Sequence, residues 1–161
     1  MTDICSKLVK ALYEKGLTIA TAESCTGGLI GKSLTDVSGA SAVYWGGVIS
    51  YDNSVKENVL EVQRETLDTV GAVSFDTACQ MALGVKRLLK TDIGISTTGI
   101  AGPGGGTKEK PVGTVYVGIA YKDTVDGFLL NIGSTLSREE IRSEATKRLL
   151  TIAYEKVLEN Y

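Results

Sequence analysis

The chain has 161 residues, with 17 Lys and Arg against 19 Asp and Glu, a formal net charge of −2, three cysteines and no histidine. That length predicts a single domain spanning 1–161 with a buried core, and the near-neutral balance excludes the global basic field that a nucleic-acid partner would require. The missing histidine excludes Ser-His-Asp and Cys-His catalysis and removes the commonest metal ligand, so the base of any hydrolase must be Lys, Tyr, Asp, Glu or a chain terminus, and Ser or Thr with Lys is the most direct pairing.

Ile4, Leu8, Val9 and Leu12 recur at helical spacing, and Gly16 stands where that helix should stop. Residues 17–22 then read as a short buried strand, 24–28 as a turn and 29–37 as a helix. A strand is expected over 43–51, with Gly46-Gly47 marking a bulge or a close backbone approach. A short helix follows over 54–60. Ser74 is placed to cap a long helix over 75–89, whose Ala78, Met81, Ala82, Val85 and Leu89 share one face. Residues 93–98 form a strand that runs into a glycine-rich loop. The segments 114–121 and 125–132 are strands joined by Lys122-Asp123-Thr124, which is too short for anything but an antiparallel hairpin. Ser137-Arg138-Glu139-Glu140 is a capping box that opens a last helix to about residue 158.

This order predicts an α/β fold: three layers, α/β/α, around a mixed, mainly parallel sheet, with a C-terminal β-hairpin followed by a helix. No linker or repeat interrupts it. The segment 1–5 has neither a basic start nor a long apolar run, no stretch reaches membrane-spanning length, and Cys5, Cys25 and Cys79 lie far apart. No signal peptide, membrane partner, zinc site or disulfide framework is expected, and a reduced cytoplasm is the expected location.

Two glycine-rich turns are candidate sites. Ser24-Cys25-Thr26-Gly27-Gly28 lies between a strand and a helix, where backbone N–H groups attract anions and glycines admit a phosphate or carboxylate; Ser24, Thr26 and Gly27 are therefore candidate substrate contacts. An ordinary strand-to-helix turn with a hydroxyl cap accounts for the pattern equally well. The second turn follows a strand end, where ligands gather in open α/β sheets, and makes Thr98, Gly99 and Gly102 candidates against a plain surface connection. Its 99–113 span is long for a structureless loop, which in compact domains usually carries function.

Arg138 sits in the first turn of the last helix, where a cation opposes the helix dipole unless it faces an anion; Arg142 lies four residues on, on the same face. Tyr51 and Lys56 flank a turn at Asp52-Asn53, so their side chains are able to converge, although a solvated lysine and a half-buried tyrosine are the default for such a pair. Ser41, Ser50 and Ser54 lie nearby, and composition alone does not choose among them. Cys25 is a further nucleophile candidate at a helix N-terminus but ranks below serine. The run from Gly27 to Ser33 ends like a phosphate-binding loop, yet it is one residue short and falls inside the helical pattern, so nucleotide binding of that kind is rejected.

Five ordered motifs together resemble the CinA C-terminal domain family: Ala22 to Gly28, Gly47 to Lys56, Gly71-Ala72-Val73-Ser74, Thr98 to Pro103, and Lys110 to Val115. The resemblance covers nearly the whole chain. That family includes stand-alone nicotinamide-nucleotide amidohydrolases, which convert nicotinamide mononucleotide to nicotinate mononucleotide and ammonia. The resemblance implies a Ser-Lys arrangement assisted by tyrosine. By matching motifs the nucleophile falls on Ser41, the lysine on Lys56 and the tyrosine on Tyr51. Thr98 falls on a hydroxyl position of the active-site loop, Ser24 on a substrate-pocket position, and Arg138 on the arginine after the hairpin. The family's Gly-Asp-Arg run is here Leu136-Ser137-Arg138. The resemblance further implies no metal, no cofactor, a homo-oligomer, most simply a dimer, and no pyrophosphate-cleaving domain. The rival expectation is a non-catalytic nucleotide-binding module linked to competence or the DNA damage response.

Overall fold

Alternation along the strands decides which helix covers which face of the sheet. In the computed structural model, which describes residues 1–161, the elements are α1 (Thr2–Lys15), β1 (Ile19–Glu23), α2 (Leu29–Thr35), a single 3-10 turn (Ala40–Ala42), β2 (Tyr44–Ile49), α3 (Asn53–Asn58), α4 (Arg64–Thr69), α5 (Phe75–Leu89), β3 (Ile93–Gly99), β4 (Thr114–Tyr121), β5 (Thr124–Asn131) and α6 (Arg138–Asn160). Ile93 and Ile95 of β3, with Val115, Val117 and Ile119 of β4, join the larger core, which α1, α2 and α6 cover. The residues between them face the other way. There Gly94 and Gly118 are bare, and a Cβ at either would lie 2.2 Å from the Ala82 carbonyl oxygen or 2.3 Å from that of Ala78, so α5 settles directly on the sheet.

The five strands form one sheet in the order β2-β1-β3-β4-β5. β1 pairs in parallel with both β2 and β3, β4 runs antiparallel to β3, and β5 antiparallel to β4. The layers and the closing hairpin and helix are those expected from sequence. Gly16 ends α1 in the left-handed conformation, Ser74 caps α5 by accepting from the Thr77 N–H, and Ser137 and Glu140 form the reciprocal capping box of α6.

Several details differ from expectation. α4 and the 3-10 turn are additional, because segments of six and three residues carry too little periodicity to stand out. β2 ends at Ile49 rather than 51, since Asp52 turns the chain to cap α3 by accepting from the Ser54 N–H at 2.8 Å. α2 stops at Thr35, two residues early. The bulge expected near Gly46-Gly47 is present as a register shift: Ile19 pairs with Tyr44 and Ala20 with Gly46.

Candidate active site

The parallel strands deliver their carboxyl ends to one edge of the sheet. Ser24 follows β1, Ser50 and Tyr51 follow β2, and Thr97, Thr98 and Gly99 end β3. The connection from β1 leaves through α2 on one face and that from β2 through α3 to α5 on the other, which leaves a crevice at the strand ends. Backbone bonds pin its floor: the Ser24 N–H donates to the Thr97 carbonyl at 3.0 Å and the Ser50 N–H to the Glu23 carbonyl at 2.8 Å. β5 returns the chain to the same edge, so the first turn of α6 forms another wall.

Lys56 is the centre of this crevice. It is a lysine only 1 % exposed, and no carboxylate pairs with it. Its Nζ lies 2.7 Å from the Ser50 carbonyl oxygen, 3.1 Å from that of Tyr51 and 3.1 Å from Ser24 Oγ. Two carbonyls accept two of its hydrogens, and the third tetrahedral position faces Ser24. In the ammonium form that position holds a proton; in the neutral amine it holds the lone pair. Burial pushes the Lys56 pKa below its ordinary value, with Asp52 and Cys25 opposing the shift. Ser24, 9 % exposed, accepts from this amine at 3.1 Å and would face its lone pair in the neutral form.

The turn after Ser24 does not hold a free anion site. The buried Glu23 carboxylate fills it from within: Oε2 accepts from the Thr26 hydroxyl at 2.7 Å and from the Gly28 and Ile30 N–H groups at 3.0 Å each, while Oε1 accepts from the Gly31 N–H at 2.8 Å. The Thr26 hydroxyl also meets Thr97 Oγ1 at 2.7 Å, and the Gly27 N–H donates to the Ser24 carbonyl. Thr26 and Gly27, expected as substrate contacts, are instead consumed in building the turn. The physical reason is that the start of α2 already has its counter-anion. Burial pushes the Cys25 thiol pKa up to about 11, which keeps it behind Ser24 as a candidate nucleophile.

A cavity of about 200 Å3 opens in front of Ser24 and Lys56, with Tyr51, Thr98, Gly99 and Arg138 in its lining. Thr98 donates to the Ala72 carbonyl at 2.7 Å and so ties the 71–73 segment down as one wall. Arg138 spans the rim. Its Nη1 donates to the Gly102 carbonyl at 2.8 Å, and its Nη2 lies 3.0 Å from the Tyr51 hydroxyl. Gly102 therefore presents a carbonyl that holds Arg138 and does not line the cavity itself. The Tyr51 hydroxyl meets Arg138 rather than Lys56; only the Tyr51 backbone carbonyl touches the lysine.

Ser41, expected as the nucleophile, is not brought here. It is exposed, in the 3-10 turn that precedes β2, and β2 separates it from the crevice by roughly 17 Å at 3.3 Å per residue. A residue before a parallel strand lies at the amino edge of the sheet, whereas the crevice lies at the carboxyl edge. That rule was available from the sequence and favours Ser24, which directly follows β1. A second contact that sequence reasoning left unassigned is Arg142, which donates from Nε to the Cys25 carbonyl at 3.0 Å and from Nη2 to the Thr26 carbonyl at 2.8 Å.

Comparison with known proteins agrees with this architecture. The model of the CinA C-terminal domain matches residues 1–157. A CinA-like protein of Leptospira borgpetersenii is 60% identical over 121 residues, covering 75% of this chain and 29% of the relative. A CinA-like protein of Trichormus variabilis is 53% identical over 140 residues, 86% of this chain and 34% of the relative. The chain thus spans about a third of the length of these relatives. Among solved structures, the competence/damage inducible protein CihA from Agrobacterium tumefaciens superposes with a TM-score of 0.91 at 39% identity, covering 96% of this chain and 94% of that one. The competence damage-inducible protein A from Klebsiella pneumoniae gives 0.95 at 30% identity, with 99% and 98% covered. The chain belongs to the CinA C-terminal domain family.

Proposed function

We propose that the chain is a Ser-Lys amidohydrolase that hydrolyses the carboxamide of nicotinamide mononucleotide, with Ser24 as nucleophile and Lys56 as general base and acid. The observation that supports it is the geometry at Lys56: a buried amine, unpaired by any carboxylate, whose one uncommitted position faces a serine hydroxyl. A structural lysine is normally solvated or paired with a carboxylate, and one held this way is suited to accept a proton.

Neutral Lys56 takes the Ser24 proton as Oγ adds to the carboxamide carbon. The resulting ammonium returns that proton to the amide nitrogen, ammonia leaves, and an ester to Ser24 remains. Water then adds with Lys56 again taking the proton, and collapse restores the Ser24 hydroxyl and frees the carboxylate. The cavity is smaller than the roughly 300–1,000 Å3 of pockets that enclose whole ligands. It fits one aromatic carboxamide ring, with the ribosyl phosphate reaching the rim at Arg138.

The test is ammonia release from nicotinamide mononucleotide by the purified protein and three variants. Ser24→Ala and Lys56→Arg are expected to lose turnover by at least about a thousandfold, because Arg does not give up its proton at working pH. Ser41→Ala is expected to keep it. Activity in Ser24→Ala, or its loss in Ser41→Ala alone, would return the nucleophile to Ser41. No ammonia from any nicotinamide compound would favour a binding module instead.

A further inference from the structure

We infer that the ring face of Tyr51 recognises the positive charge of a pyridinium ring, which selects N-substituted, cationic pyridine carboxamides over neutral aromatic carboxamides of the same shape; this rests on the amidohydrolase reading above. Two contacts fix where the Tyr51 ring stands. The Tyr51 carbonyl accepts from Lys56 Nζ at 3.1 Å, so the residue starts beside the base. Its hydroxyl lies 3.0 Å from Arg138 Nη2, so the side chain ends at the rim. The ring bridges base and rim, and it lines the cavity between them. It stays 60 % exposed although both ends of the residue are held. Trp45 and Tyr13 are comparably exposed, at 57 % and 68 %, but neither lines this cavity.

The charges around the cavity agree with this role. Nicotinamide mononucleotide carries a permanent positive charge on the ring nitrogen that bears its ribose. No aspartate or glutamate lines the cavity to balance that charge. Asp52, next to Tyr51 in the chain, turns its carboxylate to the N–H and hydroxyl of Ser54. Tyr51 is the only aromatic residue in the lining. The negative face of an aromatic ring attracts a cation within about 6 Å of its centroid, more strongly where water is excluded. No cation of the chain takes that place. Arg138 meets Tyr51 at its hydroxyl, and the lysines that sit over rings lie over Tyr161, Tyr121 and Phe128. With the carboxamide carbon at Ser24, the ribosyl phosphate runs outward to Arg138. The ring nitrogen then lies on the rim side, along the length of Tyr51.

The test is calorimetric binding to Ser24→Ala, which keeps the cavity and does not consume the ligand. Two ligands are compared: nicotinamide mononucleotide, and benzamide ribotide, in which carbon replaces the ring nitrogen. They share shape and phosphate, so contributions from Arg138 cancel in the ratio of their affinities, and only the ring charge differs. The charged ligand should bind about 3- to 30-fold more tightly. Adding Tyr51→Leu should bring that ratio to about one or below. Adding Tyr51→Phe keeps the ring and removes the contact with Arg138, so it should weaken both ligands alike and preserve the ratio.

A ratio near one in Ser24→Ala, no measurable binding, or a ratio that Tyr51→Leu leaves unchanged would overturn the role of Tyr51. Loss of the ratio in Tyr51→Phe would overturn it too, by assigning the selection to the hydroxyl instead of the ring face. Ammonia release from nicotinamide mononucleotide by the unsubstituted protein separates the two levels. No release together with no binding defeats the amidohydrolase reading and the role of Tyr51 alike. Release that depends on Ser24, with a ratio indifferent to Tyr51→Leu, defeats only the role of Tyr51.

Discussion

A charged side chain is costly to bury, so the residues that are buried or stretched against that cost carry the most information. Lys56 meets it with two carbonyls and a hydroxyl and no counter-charge, which supports its proposed role as the base. Arg138 was singled out in the sequence because a cation is misplaced at a helix N-terminus. Its two contacts, to the Gly102 carbonyl and the Tyr51 hydroxyl, leave it without an anionic partner at the mouth of the cavity. Arg138→Ala should therefore raise KM for nicotinamide mononucleotide about ten- to a hundredfold, the value of a charge-assisted hydrogen bond of about 1.5–3 kcal/mol, and raise it much less for the uncharged riboside. Equal effects on the two compounds would remove Arg138 from phosphate recognition. Tyr51→Phe belongs with this test, since its hydroxyl touches Arg138: it should act on KM rather than on the pH dependence of turnover.

At the scale of elements, α2 is a seven-residue helix whose start is built around one internal carboxylate. Glu23 satisfies three backbone N–H groups that a short helix leaves orphaned, and its fourth bond, to Thr26, links the turn to β3 through Thr97. Glu23→Gln keeps the size but must aim an NH2 group at one of these donors. It should cost about 1–3 kcal/mol in urea unfolding, the penalty of leaving a buried polar group unpaired. A loss below about 0.5 kcal/mol would mean that the capping carries little weight. The glycine turn had looked in the sequence like a site for an external anion; a residue one position before it already supplies that anion, and periodicity carries no trace of where a buried glutamate points. The α5 side tells a similar story. The face of α5 was legible from Ala78, Met81, Ala82 and Val85, all buried, but the glycines of β3 and β4 that let it sit close acquire meaning only once those strands are neighbours.

At the scale of the whole molecule, the crevice collects side chains from the ends of β1, β2 and β3, from α3 and from α6, and their packing is what dehydrates Lys56. Under the proposed mechanism the neutral amine is the reactive form, so activity is expected to fall as pH drops through the Lys56 pKa and to rise above it. Burial sets that pKa below the ordinary lysine value of 10.5. The expected profile of kcat/KM is a single rising limb whose midpoint lies below 10.5. A profile flat across the alkaline range, or one that rises only at the pKa of free lysine, would show that Lys56 is not the base.

The sequence by itself determined what depends on near neighbours: helix periods and caps at Gly16, Ser74 and Ser137, the two-strand hairpin set by a short connection, the layered α/β class, and a chemistry without histidine. It also offered Lys56, Ser24 and Arg138 as candidates. Only the tertiary structure decided among the hydroxyls, because Ser24 and Lys56 are 32 positions apart and meet through the parallel pairing of β1 with β2, while Ser41, nearer in sequence, is carried to the opposite edge by the length of that strand. It likewise decided that the Thr26-Gly27 turn serves Glu23, and that Arg142 reaches across 116 positions to the Thr26 carbonyl, close to Ser24. Local order is set by torsions and periodicity within a few residues, but a site is a set of distances between chain segments, and those distances exist only after the sheet has chosen its strand order.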